Sequence, residues 1–168
     1  MTRPLAYVAL GSNLENPLQQ LRRAREGLAH LGEVAAASSL YRTAPVGGPP
    51  GQADYLNAVV ALRPDAPDPE TLLRELLALE ARQGRTRAVR WAARALDLDL
   101  LAWGDEVRSS PPLTLPHPRM MERAFVLAPL CEVAPGWRHP VTLAGACEAL
   151  ASLGRSGVAR TALGWHDV

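Results

Sequence analysis

The segment Asp97-Leu98-Asp99 holds the residues through which this sequence most directly suggests chemistry. On a strand, side chains two apart leave the same face, with about 6.6 Å of rise between them. Both carboxylates would then project together while Leu96, Leu98 and Leu100 enter a core on the other side. Neighbouring carboxylates repel each other unless a cation stands between or above them. Oxygen ligands without His or Cys favour Mg²⁺, which takes one or two carboxylates and fills its shell with water and phosphate oxygens. A solvated strand face would show the same spacing.

Arginines weight the first reading. Arg82, Arg85, Arg87, Arg90 and Arg94 crowd the stretch before the aspartates without helical spacing. Guanidinium forks match phosphate oxygens in bidentate geometry, so the pattern suits a polyphosphate held by Mg²⁺ and Arg. Solvated arginines balancing nearby acids are the plainer alternative. Glu80 falls on the apolar stripe of Leu73, Leu76 and Leu77, where a carboxylate needs a partner: an arginine, or a ligand's polar edge. Asn57 shares a strand face with Tyr55, and its amide offers both donor and acceptor to a heterocycle. Aromatic residues are only 5% of the chain, which makes Tyr55, Trp91 and Phe125 candidates for flat walls, with a core role open for Phe125. His117, between two prolines, is held rigidly.

Composition narrows the chemistry. The chain has 168 residues, 18 basic and 17 acidic side chains, and a net charge of +1. No bulk field is available to hold nucleic acid or an anionic membrane. Every basic residue is arginine, which excludes P-loop, kinase-lysine and Schiff-base mechanisms. No run approaches a membrane span or a signal-peptide core, so a cytoplasmic protein is expected. Cys131 and Cys147 read as buried, reduced core thiols.

The elements that must position these residues follow from periodicity. Leu5–Leu10 reads as a strand buried on both faces, and Asn16-Pro17 starts a helix that Gly32 ends. Residues 34–43 read as a second strand, followed by a Pro- and Gly-rich loop at 44–51. Tyr55–Leu62 is a third strand, Asp68-Pro69 starts a helix to about Gln83, and 85–93 forms a second loop. Leu96–Leu101 is the fourth strand, and Gly104-Asp105 suits a hairpin turn to an edge segment near Val107. Residues 123–133 and 142–153 read as helices, and 154–168 as a loosely held tail. This order suits a single α+β domain over 1–168, with a ferredoxin-like antiparallel sheet and helices packed on it.

Taken in order, several motifs resemble the 6-hydroxymethyl-7,8-dihydropterin pyrophosphokinase family of folate biosynthesis. They are Ala9-Leu-Gly-Ser-Asn-Leu14, Ser39-Leu-Tyr-Arg-Thr43, Tyr55-Leu-Asn-Ala58, Arg94-Ala-Leu-Asp-Leu-Asp-Leu100, Leu115-Pro-His-Pro-Arg119 and Arg123-Ala-Phe-Val-Leu127. The resemblance spans about residues 5–135. It implies that ATP passes its terminal diphosphate to the pterin's hydroxymethyl oxygen, by attack at the β-phosphorus, leaving AMP. It places two Mg²⁺ on Asp97 and Asp99, with Arg85 and Arg94 also catalytic. It maps the pterin pocket onto Thr43, the Val46 backbone, Tyr55, Asn57, Trp91 and Phe125. ATP contacts would fall on Glu80, Arg85, Arg94, Leu100, His117 and Arg123. A monomer is expected, with ATP and 6-hydroxymethyl-7,8-dihydropterin as partners and neither nucleic acid nor membrane. Two other classes stay open at this point. A nucleotidyltransferase also pairs Gly-Ser with Asp-x-Asp, though Ser12 is far from Asp97 in sequence. An RNA-binding module on such a sheet would want more aromatics and a basic face.

Overall fold

The strand Ala6–Ser12 (β1) is central to the sheet because both of its faces are apolar, and both of its edges are paired. The computed structural model describes residues 3–14, 16–45, 53–84 and 96–166. β1 is followed by a helix at Pro17–Ala29 (α1), where Asn16 caps the start by accepting from Gln19 N at 3.3 Å and Pro17 takes the first turn. Gly32–Ala37 (β2) and Tyr41–Thr43 (β3) come next, then the long strand Tyr55–Pro64 (β4) and the helix Pro69–Gly84 (α2). Asp97–Trp103 (β5) returns beside β1. Beyond it lie the short strands Arg108–Ser110 (β6) and Leu113–Leu115 (β7), a 3-10 turn at Met120–Glu122, the helices Ala124–Val133 (α3) and Ala146–Leu153 (α4), and the strand Val158–Arg160 (β8).

The main sheet runs β5-β1-β4-β3-β8, with β2 pairing β4 beyond β3, and its described pairings are antiparallel. Alternation along β4 divides the molecule into two cores. Leu56, Ala58, Val60 and Leu62 pack with Leu98 and Leu100 under α1 and α2, while Val59 and Leu101 face α3 and α4. The expected α+β, ferredoxin-like architecture is the observed one. On the α3–α4 side the helices cover one end of the sheet and leave a cavity over Tyr55, Asn57, Asp97 and Asp99.

Four expectations need correction. The strand read over 34–43 breaks at Ser38, whose main chain donates to Val59 O at 2.9 Å while its hydroxyl accepts from Val59 N at 3.0 Å. The hydroxyl takes the place of a main-chain acceptor, and β4 pairs with two short strands instead of one. The segment after Gly104 does not return to the edge of β5: β6 pairs with β7, joined through Pro111-Pro112. Cys131 and Cys147 are not buried reduced thiols. Both are half-buried and form a disulfide across the α3–α4 contact, with their Cα atoms 5.2 Å apart. The tail is not loose over residues 158–165, because β8 pairs with β3 and Trp165 Nε1 donates to Ser38 O at 2.8 Å. Among the described residues, no helix is long and apolar enough to cross a membrane.

Candidate active site

The cavity encloses about 550 Å³. Its floor is the row of β-sheet positions where bulky side chains are missing. Asp97 of β5 pairs with Gly11 of β1, and Gly11 pairs on its other side with Asn57 of β4. Two residues along, on the same face, Asp99 pairs with Ala9. Glycine and alanine put almost nothing above the sheet between the acids and the amide, so the Asn57 side chain can lean over Gly11 towards the acid end.

At the amide end, the Thr43 hydroxyl donates to Asn57 Oδ1, and the buried Thr43 side chain is fixed on β3, where it pairs with Tyr55. The bond orients Asn57 so that Nδ2 is turned towards Gly11, 2.8 Å from where a Cβ on that residue would stand. Only glycine permits this approach. Tyr55 and the half-buried Phe125 supply aromatic surface to the same cavity. Burial, and then the charge of Asp97, pushes the Tyr55 phenol above its ordinary value, so it stays neutral.

At the acid end, β5 is the outer strand of the sheet, and Leu98 N–H points away from β1. Glu80 meets it from α2, accepting at 2.7 Å. This buried carboxylate therefore holds the back of β5 and does not line the cavity. Alternation of the antiparallel ladder turns the backbone of Leu100 to the same outer edge as Leu98, while its side chain lies in the main core. His117 is half-buried, with Nδ1 accepting from Arg119 N at 3.2 Å, so the neutral ring carries its hydrogen on Nε2. Burial depresses its basicity against the opposing charge of Asp99, and Arg123 and Arg119 add to the depression. Arg123 stands at the start of α3 with its guanidinium 5.7 Å over the Phe125 ring, a cation–π contact that links the polar and aromatic walls.

The donor set fits a hard cation. Asp97 and Asp99 are oxygen ligands on one face of β5, both lining the cavity, with Gly11 and Ala9 leaving room beside them. Among the described residues they join no group of three or more His, Cys, Asp or Glu, so phosphate oxygens and water would complete a shell there.

Thr43, Tyr55, Asn57, Asp97, Asp99, Arg123 and Phe125 thus converge on one cavity, with His117 beside Asp99 and Glu80 behind the strand. Val46, Arg85, Trp91 and Arg94 lie outside the described residues. Sequence reasoning assigned no role to Arg119, Glu122 or Ser156, all of which line the cavity. Arg119 closes the Leu-Pro-His-Pro-Arg motif, and that was its available signal. Ser12 is near Asp97 in space, one residue from Gly11, but it is buried and alternates to the opposite face.

Residues 7–135 match the family described as 7,8-dihydro-6-hydroxymethylpterin-pyrophosphokinase. The chain is 44% identical over 131 residues to the 2-amino-4-hydroxy-6-hydroxymethyldihydropteridine pyrophosphokinase of Haemophilus influenzae, covering 77% of this chain and 81% of that protein. It is 44% identical over 136 residues to that of Pseudomonas aeruginosa, covering 80% and 83%. With that of Methylorubrum extorquens the identity is 42% over 164 residues, 95% of this chain and 99% of the other. Among solved structures it is similar to an HPPK-DHPS in complex with substrates, at a TM-score of 0.71 and 12% identity over 90% of this chain. Wild-type HPPK-DHPS of Plasmodium falciparum gives 0.70 and 14% over 89%. The chain spans 43% and 44% of the length of those two, and the likeness there is one of fold.

Proposed function

The chain belongs to the 7,8-dihydro-6-hydroxymethylpterin-pyrophosphokinase family, and we propose that it transfers the diphosphate of ATP to the hydroxymethyl group of 6-hydroxymethyl-7,8-dihydropterin, releasing AMP, in tetrahydrofolate biosynthesis. The observation that carries this reading is the shared row Asp97–Gly11–Asn57, which puts a carboxylate end and a heterocycle-binding end on one cavity floor.

Asn57 presents its amide to the pterin edge, with its Oδ1 already oriented by Thr43, and Tyr55 and Phe125 flank the flat ring. The family resemblance adds Trp91 and the Val46 backbone to the pterin contacts. Asp97 and Asp99 would hold two Mg²⁺, and bound there such ions would supply charge neutralisation to the phosphates. Arg123, Arg85 and Arg94 take phosphate oxygens by their guanidinium forks. His117 donates from Nε2 to the nucleotide, and Leu100 offers its outward backbone at the edge of β5. Glu80 acts through Leu98, keeping β5 in the register that aims both aspartates into the cavity. The hydroxymethyl oxygen attacks the β-phosphorus in line: its bond to phosphorus forms and its proton passes to solvent as the bond from the β-phosphorus to the α–β bridging oxygen breaks, and AMP carries that oxygen away. Orientation and charge stabilisation are what such a site contributes. The protein acts as a monomer in the cytoplasm.

Incubation with ATP, Mg²⁺ and 6-hydroxymethyl-7,8-dihydropterin should yield AMP and the diphosphorylated pterin in equal amounts. ADP would indicate γ-transfer, and free diphosphate would indicate nucleotidyl transfer. Either result overturns the proposal.

A further inference from the structure

The family match ends at residue 135, yet Ser156, Gly157 and Val158 line the cavity. Main-chain bonds set their position. Val158 pairs with Thr43, Ala159 with Arg42 and Arg160 with Tyr41. Ala44 N donates to Gly157 O at 2.9 Å, and further along both Thr161 N and its hydroxyl donate to Leu40 O. Arg22 reaches Gly164 O through Nε at 3.0 Å. The segment is therefore sewn to β3 on one side and anchored to α1 on the other.

Gly157 has φ 77°, a left-handed conformation that favours glycine. This bend brings Ser156 to the cavity before the chain straightens into β8. β8 in turn pairs with the strand that carries Thr43, the residue that orients Asn57.

We propose that Ser156–Val158 forms a wall of the pterin subsite and that Ser156 is a specificity-determining position, limiting the bulk admitted beside Thr43 and Ala44. The proposal rests on the reading of the cavity given above. It assigns substrate recognition to a part of the chain outside the family's matched region. The chemistry is steric, from a small hydroxyl-bearing side chain at the edge of the space for a flat heterocycle, with main-chain atoms of Gly157 fixing where that edge lies.

Ser156→Leu and Ser156→Trp in the full chain test it, with Ser152→Trp as control. Ser156 and Ser152 are both exposed, and Ser152 is on α4 and does not line the cavity. The expected result is a graded rise in KM for the pterin, reaching about tenfold for Trp, which is ~1.4 kcal/mol. The KM for ATP and the melting temperature should stay at wild-type values in all three variants, and Ser152→Trp should leave the pterin KM unchanged. A pterin KM within twofold of wild type in Ser156→Trp overturns the proposal, as does an equal rise in KM for ATP. If the wild-type protein forms no AMP from ATP and the pterin, the functional reading itself has failed.

Discussion

Asn57 and Asp97 stand on one rung of the sheet, each paired with Gly11 from opposite sides. Two strand spacings separate their backbones by about 9.6 Å. The rung sets an amide that can read a ring edge and a carboxylate that can anchor phosphate-bound cations on one floor, two strands apart. Both ends are built on paired β-structure, so the separation is fixed before any ligand arrives.

This division of labour predicts separable defects. Asp97→Ala or Asp99→Ala should lower kcat by about 10²–10³-fold in saturating Mg²⁺, the scale of losing one electrostatic element of a transition-state site. Pterin binding, measured without nucleotide, should survive. Near wild-type turnover in either variant would remove the metal assignment.

Asn57→Ala should do the reverse, weakening the pterin by about 1–3 kcal/mol while ATP affinity is retained. Titration calorimetry with each substrate alone distinguishes the two ends. Equal loss of both ligands would contradict a split floor.

Gly11→Ala tests the rung itself. Its Cβ would stand 2.8 Å from Asn57 Nδ2, closer than side-chain atoms pack, so the amide must move and loosen its bond from Thr43. The pterin KM should rise about tenfold, the equivalent of ~1.4 kcal/mol. The KM for ATP should hold. A variant indistinguishable from wild type would mean that the Asn57 orientation is immaterial.

Much of this site was legible because strands alternate. A two-residue period places Asp97 with Asp99 and Tyr55 with Asn57 on definite faces, and the structure follows both patterns. What stayed hidden depends on contacts between distant segments. Nothing local in Glu80 names Leu98 N–H as its partner, because that group is unpaired only once β5 becomes an outer strand. The Cys131–Cys147 bond needs α3 packed on α4, and the Ser156 wall needs β8 paired with β3. A glycine-rich tail looks loose in sequence because main-chain pairing, which holds this one, leaves little trace in side-chain pattern.

Glu80 gives a test of stability against binding. Glu80→Ala leaves the buried Leu98 N–H without that acceptor and should cost about 1–3 kcal/mol in urea unfolding. Glu80→Gln retains an acceptor oxygen and should cost less. If Glu80 instead met the nucleotide directly, Glu80→Gln would raise the KM for ATP with unfolding unchanged.

The join between α3 and β3 should make stability depend on pH at both extremes. Glu132 accepts from Ser39 N at 2.9 Å, from Ser39 Oγ at 2.8 Å and from Tyr41 OH at 2.8 Å. Burial alone would raise its pKa, but these bonds and the Arg160 charge outweigh it and hold the carboxyl below the usual 4.5. A carboxylate whose pKa is depressed by folding contributes stability above the unfolded value and loses it as pH falls through the folded one. Tyr41 is displaced the opposite way, to about 12, chiefly by burial and then by its bond to Glu132 and the charge there. The folded state keeps the phenol proton between the ordinary value of 10 and that limit, so stability falls as pH rises across this window. Urea midpoints for wild type, Glu132→Gln and Tyr41→Phe should therefore diverge in specific places. Glu132→Gln should flatten the acid limb below pH 4.5, and Tyr41→Phe should flatten the alkaline limb above pH 10. Parallel curves for wild type and Glu132→Gln in acid would show that the three bonds to Glu132 do not favour its charged form.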